Sequence, residues 1–448
     1  MFENKKIFIL GMARSGYEVA KILANNNTVL VTDMKDQQDE KVKELNDLGV
    51  NVIITDKPVE LLDETYDYLI KNPGIKFEHP CVEKAEKLNI PVINEVEAAY
   101  HFLPEDVTII GITGSNGKTT TTTLTYEFLK EADYPVHLGG NIGVPVSALV
   151  KDTKSKDILV LEISGHQLHD MPHFKTNIGI MTNLSEVHID HFGTYENYKK
   201  NKLRIFQHHT NKDLAILNLE NEDVIKGTEN ISSRKIYFSS KKEANICIKE
   251  NAIYYHNEKI IDINDIRIKG THNLENIMCA IAATKQIGID NESITNVLTK
   301  FAGVEHRIEF SGRINNREFY NDSKSTNVKS TQVALSAFNT PVILLLGGLD
   351  RGLPFDDLKD YLTHVAHIIC YGQTKNVIKE FADKLNIDCI VVETLEDAVR
   401  VAYDISEEND TILLSPACAS WDQYKDFEER GKEFKKLVEK LKEEKYEN

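Results

Sequence analysis

The sequence predicts an α/β protein made of three consecutive segments, each organised around its own sheet. Three observations carry this reading. Apolar runs alternate with amphipathic helical patterns up to about Ile93, a glycine-rich loop joins a strand to a helix after Val107, and the alternation resumes after Ala302. Such alternation argues for mainly parallel strands with helices laid on their faces. The expected divisions are 1–93, 94–302 and 303–448, and 448 residues suit about three domains.

In the first segment KIFIL, TVLVTD, VNVIIT and DYLIK read as strands, and SGYEVAKILA as the first helix. The turn from Gly11 to Gly16, with Asp33 closing the next strand, has the layout of a Rossmann-like nucleotide site. Ala13 stands where that fingerprint carries its middle glycine, which hinders close approach of a pyrophosphate and argues against NAD. The stretch PVINEVEAAYHFLPED reads as a linker.

The central segment opens with the strand VTIIGI, then GITGSNGKTTTT, then the helical TLTYEFLKEA. Five residues separate Gly111 from Gly117, one more than the strict phosphate-loop pattern has. The physics survives the mismatch. Gly111, Gly114 and Gly117 let backbone N–H groups turn toward an anion at a helix N-terminus. Lys118 can reach β- and γ-phosphates, and Thr119 or Thr120 can offer a hydroxyl to Mg²⁺. A bare glycine turn with a surface lysine would not explain why strand, glycines, Lys-Thr and helix coincide.

Further along, DILVLEIS and NIGIMTNL read as strands. Glu162 ends the first of them, where a carboxylate beside a phosphate loop suits either Mg²⁺ or a structural hydrogen bond. The cluster His188-Ile-Asp-His191, with His166, His169 and His173 upstream, has no partner thiols at metal spacing, which argues against structural zinc. Spacing alone does not separate Lys202 from an exposed helical lysine. Residues 246–268 read as small antiparallel hairpins, giving a phosphate-loop-type ATPase domain with a parallel sheet and a small antiparallel sheet. Asn273 and Asn276 lie one turn apart at a helix start, where capping explains one amide and adenine or phosphate recognition suits two.

Arg307, in GVEHRIE, is a candidate phosphate clamp at the entry to the third segment. That segment is expected to be a second Rossmann-like α/β domain. Its NDSKSTN, GGLDRG and SPACASWDQYKDFEERG follow apolar strands, and together they offer a second ligand face.

A formal net charge of −17 leaves no basic field to attract nucleic acid or an anionic membrane, though a small anionic substrate is compatible with it. Six scattered cysteines without a CxxC pair fit reduced thiols. The N-terminus runs straight into a strand, and no apolar run approaches the roughly 20 residues of a membrane helix, so a cytoplasmic protein is expected.

Taken together, GITGSNGKTT, LEISGHQL, EVHIDHFGTYENYKKNKLRIF, GTHNLEN and GVEHRIE resemble the Mur ligases along the whole chain. That family's phosphate loop has the same wider glycine spacing. The resemblance implies that ATP phosphorylates the terminal carboxylate of UDP-N-acetylmuramoyl-L-alanine and that the amine of D-glutamate attacks the acyl phosphate. It implies a loop of Gly114, Ser115, Asn116, Gly117, Lys118, Thr119 and Thr120 for ATP, helped by Asn276, Arg307 and Asp322. Thr119, Glu162, His188 and Lys202 would serve two Mg²⁺ ions, with Lys202 carbamylated and Lys118, His188 and Lys202 catalytic. Arg14, Ser15, Asp33 and Met34 would bind uridine, and Asn141 and His188 the muramoyl group. Lys324, Thr326, Arg351, Ser420 and Phe427 would form the D-glutamate pocket, in a monomer.

Two positions depart from the family pattern. Ser164-Gly165-His166-Gln167-Leu168 replaces a Ser-Ser-x-Gln-Leu run, and Arg351 replaces a frequent lysine. A folylpolyglutamate synthase-like ligase shares the ATPase core but lacks the first segment. A nucleotide switch would not need the third segment's loops, and a dehydrogenase would need nicotinamide at Gly11–Gly16.

Overall fold

The computed structural model describes residues 2–34, 39–186, 192–268, 270–352 and 354–446. Its contacts divide the chain into two compact units, Met1–Ile263 with Leu274–Val297, and Asn264–Asn273 with Leu298–Asn448. Three sheets are present among the described residues, two in the first unit and one in the second.

The first sheet contains β1 (Lys6–Leu10), β2 (Thr28–Asp33), β3 (Asn51–Ile54), β4 (Tyr68–Lys71) and β5 (Val92–Ile93). Their order is β3-β2-β1-β4-β5 and every pairing is parallel. The central strand β1 is apolar on both faces, and Ile7, Phe8 and Ile9 are buried, as a strand covered by helices on each side requires.

The second sheet has β6 (Thr108–Thr113), β7 (Val136–Gly140), β8 (Ile158–Glu162), β9 (Ile178–Met181) and β10 (Leu214–Asn218). It continues through β11 (Arg234–Ser239), β12 (Ile246–Lys249), β13 (Ala252–Tyr255) and β14 (Glu258–Asp262). The order is β14-β13-β12-β11-β10-β9-β6-β8-β7. This corrects the expectation of a separate antiparallel sheet. The hairpins do pair antiparallel, but β12 joins β11 in parallel, Phe238 opposite Ile246, and so extends the main sheet. The buried Ile246 and Cys247 explain the join, since apolar side chains on the hairpin's inner strand are covered only if the core continues beneath them.

The linker expectation also fails. PVINEVEAAYHFLPED forms β5 and a buried helix, Glu95–Tyr100, which packs on the helices Arg14–Leu23 and Val146–Leu149. Its glutamates mimic a solvated stretch in the sequence, yet Glu95 and Glu97 are both buried. Each accepts backbone N–H groups, Glu95 from Ser147 and Glu97 from His173 and Phe174. Nearby, Lys71 at the end of β4 is buried against Asp170 at 2.7 Å.

Glu95 has a measurable consequence. Burial pushes its carboxyl up to about 7 from 4.5, against hydrogen bonds from Ser147 and with a small contribution from Glu18. The folded protein therefore holds this proton more tightly than the unfolded chain. The stability so gained is complete below 4.5 and is lost as pH rises to about 7. Glu95→Gln stays neutral and keeps the acceptor. It should be more stable than the parent at about pH 8, by up to the order of 3 kcal/mol, and nearly equal to it at about pH 4. Denaturant titrations at the two pH values check this, and equal differences at both would refute it.

The second unit's sheet contains β15 (Glu309–Ile314), β16 (Arg317–Asn321), β17 (Val342–Gly347), β18 (Val365–Tyr371), β19 (Asp388–Val391) and β20 (Thr411–Leu414). The order is β15-β16-β20-β17-β18-β19, parallel apart from the β15–β16 hairpin. Strand β20 is inserted between β16 and β17, so the loops after these three strands meet at one end, as at a topological switch point. The Lys- and Glu-rich C-terminal stretch is a helix, Phe427–Tyr446, whose Phe434, Leu437, Val438 and Leu441 are buried.

Candidate active site

The phosphate-loop expectation corresponds to a built structure. Strand β6 ends at Thr113, and the helix Lys118–Glu131 starts directly after Gly117. Gly117 has φ +82°, and a Cβ there would lie 2.1 Å from Asn276 Oδ1, so a side chain fails on both conformation and space. The turn is held from the strand beside it. Asn116 N donates to Asn183 Oδ1 at 3.0 Å, Thr182 Oγ1 donates to Asn116 O at 2.6 Å, and Ser115 N donates to Asn183 O at 2.9 Å. Lys118 Nζ folds back on the loop, donating to Gly114 O and Ser115 O, both at 3.0 Å. Thr120 is buried while Thr119 keeps partial exposure, which leaves Thr119 the better placed of the two for a ligand.

Lys202 is brought to this loop. The helix Tyr195–Leu203 buries it, and Nζ donates to Gly114 O at 2.8 Å and to Thr113 Oγ1 at 3.2 Å. Burial pushes its ammonium well below the ordinary lysine value. Lys118 adds to that shift and Glu162 opposes it. One turn earlier, Tyr198 OH lies 2.9 Å from Ser115 Oγ, a contact that nothing in the spacing pointed to.

Glu162 ends β8 and is buried. Its Oε1 accepts from Asn141 Nδ2 at 2.7 Å, and its Oε2 has no hydrogen-bond partner among the described residues. A buried carboxylate oxygen without a donor is costly unless a cation takes it, so the donor set fits a hard metal ion. His188 lies outside the described residues, as do Asp190 and His191. The Gly165 departure is tolerated without strain. A Cβ at Gly165 would stand 3.4 Å from Lys202 Cε, an ordinary contact, so glycine is not forced there. Ser164 and Gln167 still form a reciprocal cap for the short helix that follows.

In the first sheet, Asp33 Oδ2 accepts from Met12 N at 2.7 Å, tying the end of β2 to the Gly11–Gly16 turn. Ser15 Oγ donates to Asn72 Oδ1 at 2.8 Å, while Arg14 and Met34 are exposed. Asn72 was missed. Its side chain sits against Gly11, where a Cβ would approach Nδ2 to 2.5 Å, and it follows β4 just as Asp33 ends β2. A polar residue at a strand's C-terminal end was the available signal.

The second unit gathers its own set. Asp322 is buried, accepting from Ser415 Oγ at 2.7 Å and Ile308 N at 3.2 Å. Burial pushes its carboxyl up to about 6, against hydrogen bonds from Ser325 and Ser415 and the charge of Arg307. Lys324 Nζ lies 5.6 Å over the Phe427 ring, and the Arg351 guanidinium lies 4.7 Å over Trp421. Thr326 N donates to Lys324 O at 2.9 Å, and Ser420 Oγ is buried without a partner among the described residues.

Arg430 was also missed. It is fully buried, donating to Ser323 Oγ at 3.0 Å, Ser323 O at 2.9 Å and Cys418 O at 3.1 Å. A Cβ on Gly348 would lie 3.2 Å from its Nη1. One guanidinium thus hydrogen-bonds to the loops that carry Lys324 and Ser420 and lies close to Gly348 in the loop that carries Arg351. Nη1 has no hydrogen-bond partner among the described residues.

A loop closing at a helix N-terminus, with a lysine folded over it and a buried carboxylate on the neighbouring strand, is the construction of a phosphate-loop nucleotide-binding protein. Comparison narrows this class. The Mur ligase middle domain matches residues 112–284, and the Mur ligase, glutamate ligase domain matches residues 306–418. The chain belongs to the Mur ligase family. It is 44% identical over 445 residues to the UDP-N-acetylmuramoylalanine–D-glutamate ligase of Bacillus cereus (strain G9842), covering 98% of each chain. The enzyme of the same name from Geobacillus sp. (strain WCH70) is 44% identical over 447 residues, covering 98% of this chain and 99% of that one. Among solved structures, the UDP-N-acetylmuramate-alanine ligase of Thermotoga maritima aligns with a TM-score of 0.62 at 19% identity, covering 98% of this chain and all of the other. The MurF ligase of Thermotoga maritima in complex with ADP aligns at 0.58 and 15% identity, covering 98% of this chain and 96% of that one. These two show the shared fold.

Proposed function

We propose that this chain joins D-glutamate to UDP-N-acetylmuramoyl-L-alanine, with ATP converted to ADP and phosphate. The observation that carries the reading is the 44% identity, end to end, with enzymes bearing that activity as their name. In the reaction, a carboxylate oxygen of the alanyl group attacks the γ-phosphorus of ATP and ADP leaves. The glutamate amine then attacks the acyl carbon, loses a proton, and phosphate departs. Such chemistry asks the protein for positioning and charge stabilisation more than for covalent participation.

Residues 1–93 are assigned to the uridine end through Arg14, Ser15, Asp33 and Met34, with Asn72 added on geometry. Residues 94–302 are assigned to ATP through the Gly114–Thr120 loop and Asn276, with Asn141 and His188 serving the muramoyl group. Residues 303–448 are assigned to D-glutamate through Lys324, Thr326, Arg351, Ser420 and Phe427, and to ATP through Arg307 and Asp322. Thr119, Glu162, His188 and Lys202 would hold two Mg²⁺ ions, which neutralise charge on the phosphoryl group. The orphan Glu162 Oε2 supports that assignment.

Carbamylation of Lys202 needs a neutral amine to attack CO₂, and burial favours the neutral form. The product keeps one N–H for Gly114 O. Lys202→Ala should be impaired and partly restored by small carboxylic acids, whereas Lys202→Arg should not be active. Full activity in the alanine variant would return Lys202 to a packing role. A cytoplasmic monomer is the working form we assign; the six scattered cysteines support the reducing compartment.

The direct test is incubation with ATP, Mg²⁺, UDP-N-acetylmuramoyl-L-alanine and D-glutamate, with the product read by mass. Absence of a glutamyl product, or turnover only of a folate substrate, would overturn the assignment.

A further inference from the structure

We propose that Glu97, His101 and His173 form a site for a zinc-type transition-metal ion, separate from the nucleotide site and independent of the assigned reaction. Glu97 lies on the helix Glu95–Tyr100 and His101 caps its end, so the i,i+4 spacing places both on one face. His173 comes from the segment between the helix Gly165–His169 and β9. His173 Nδ1 lies 2.8 Å from Glu97 Oε1, and His101 Nε2 lies 3.3 Å from the same oxygen. All three ligand atoms fall within 4.8 Å of one another. Bonds of about 2.0–2.1 Å to a tetrahedral ion put neighbouring ligand atoms about 3.3 Å apart, so small movements would admit one.

The carboxylate is already oriented. Glu97 is buried; its Oε2 accepts from Phe174 N at 3.0 Å and His173 N at 3.2 Å, and its Oε1, which faces the imidazoles, also accepts from His173 N at 3.1 Å. Backbone donors behind a ligating carboxylate are the support that metal sites use to fix a ligand. Burial alone would raise the Glu97 carboxyl, but hydrogen bonds with His101, His173 and Phe174 hold it below its ordinary value. The entry side is open. The His173 side chain is 54% exposed and that of His101 21%, leaving a further coordination position to water.

The donor set selects the metal. Two imidazoles and one carboxylate suit Zn²⁺, Co²⁺ or Ni²⁺, whereas Mg²⁺ prefers oxygen ligands. A bound ion would fasten the helix that follows β5 to the segment that leads into β9. The competing account is a hydrogen-bonded His–Glu–His cluster that needs no metal, and the experiment separates the two.

The full-length protein is titrated with Co²⁺ in excess Mg²⁺, following visible absorption, and then with Zn²⁺ as competitor. His173→Ala is the key variant, because His173 is exposed and its backbone N–H still donates to Glu97. His101→Ala is the second. The site predicts a Co²⁺ band in the parent that Zn²⁺ removes, with affinity at least about tenfold weaker in each variant, since even outer-shell partners of metal ligands contribute that much. Zn²⁺ should raise the parent's thermal midpoint but not that of His173→Ala. Equal Co²⁺ affinity in parent and both variants, or an equal Zn²⁺ shift in all three, would establish the hydrogen-bonded cluster instead.

Discussion

Lys118→Ala should lower kcat for ligation by about 10²–10³, the usual cost of removing one preorganised charge from a transition state. The side chain rises from the first residue of the helix Lys118–Glu131, and its ammonium rests on the carbonyls of Gly114 and Ser115. Those carbonyls hold it over the mouth of the loop, where an arriving phosphate offers it stronger acceptors. Loop N–H groups cannot replace it, because they are fixed dipoles while the transferred phosphoryl group carries full charge. The fold should survive, since Thr182, Asn183 and Ser185 brace the loop independently of the lysine's two bonds to it. The mass-detected ligation assay, paired with a thermal melt, separates the two effects. Turnover within a few-fold of the parent, with an unchanged melt, would remove this loop from the catalytic centre.

How far the sequence foretold this molecule depended on whether a signal was local. Strand β6, its glycines and the following helix were readable because conformation and chemistry coincide within a dozen residues. Glu162 was readable because a carboxylate closing an apolar strand is locally odd. Lys202 was not, since it shares the helix Tyr195–Leu203 with Lys199 and Lys200, and only tertiary packing makes it the buried member. The family resemblance supplied it where spacing did not. Arg430 failed for the same reason. In DFEERGKEF it looks like one charge on a solvated helix, and its partners Ser323 and Cys418 come from distant strand ends. Glu95 and Glu97 mislead in the same sense, because polarity in a short stretch reads as exposure while the donors that satisfy both glutamates lie some 50 or more residues away.

Selection between the glutamate enantiomers should be larger still, with D-glutamate preferred over L-glutamate by roughly 10⁴–10⁵ in kcat/KM, the range reached by sites built around substrate hydrogen bonds. Glutamate presents two carboxylates and one amine, and the amine must be left free to attack. The cations and hydroxyls proposed to hold it come from loops after β16, β17 and β20: Lys324 over Phe427, Arg351 over Trp421, and Ser420 with its buried hydroxyl. Arg430 hydrogen-bonds to the first and third of these loops and lies against Gly348 in the second, so the donors cannot drift independently to suit a mirror-image ligand. An L-isomer that aims its amine correctly would leave a buried donor unpaired, and the proposed pocket would penalise that. Arg351→Ala should accordingly raise KM for D-glutamate while leaving KM for ATP nearly unchanged. Arg430→Lys, which keeps the charge but loses the fork of donors, should also raise KM for D-glutamate and erode the preference between enantiomers. Comparable turnover of both isomers by the parent enzyme, or an Arg351 variant impaired only toward ATP, would mean that these loops bind something other than the incoming amino acid.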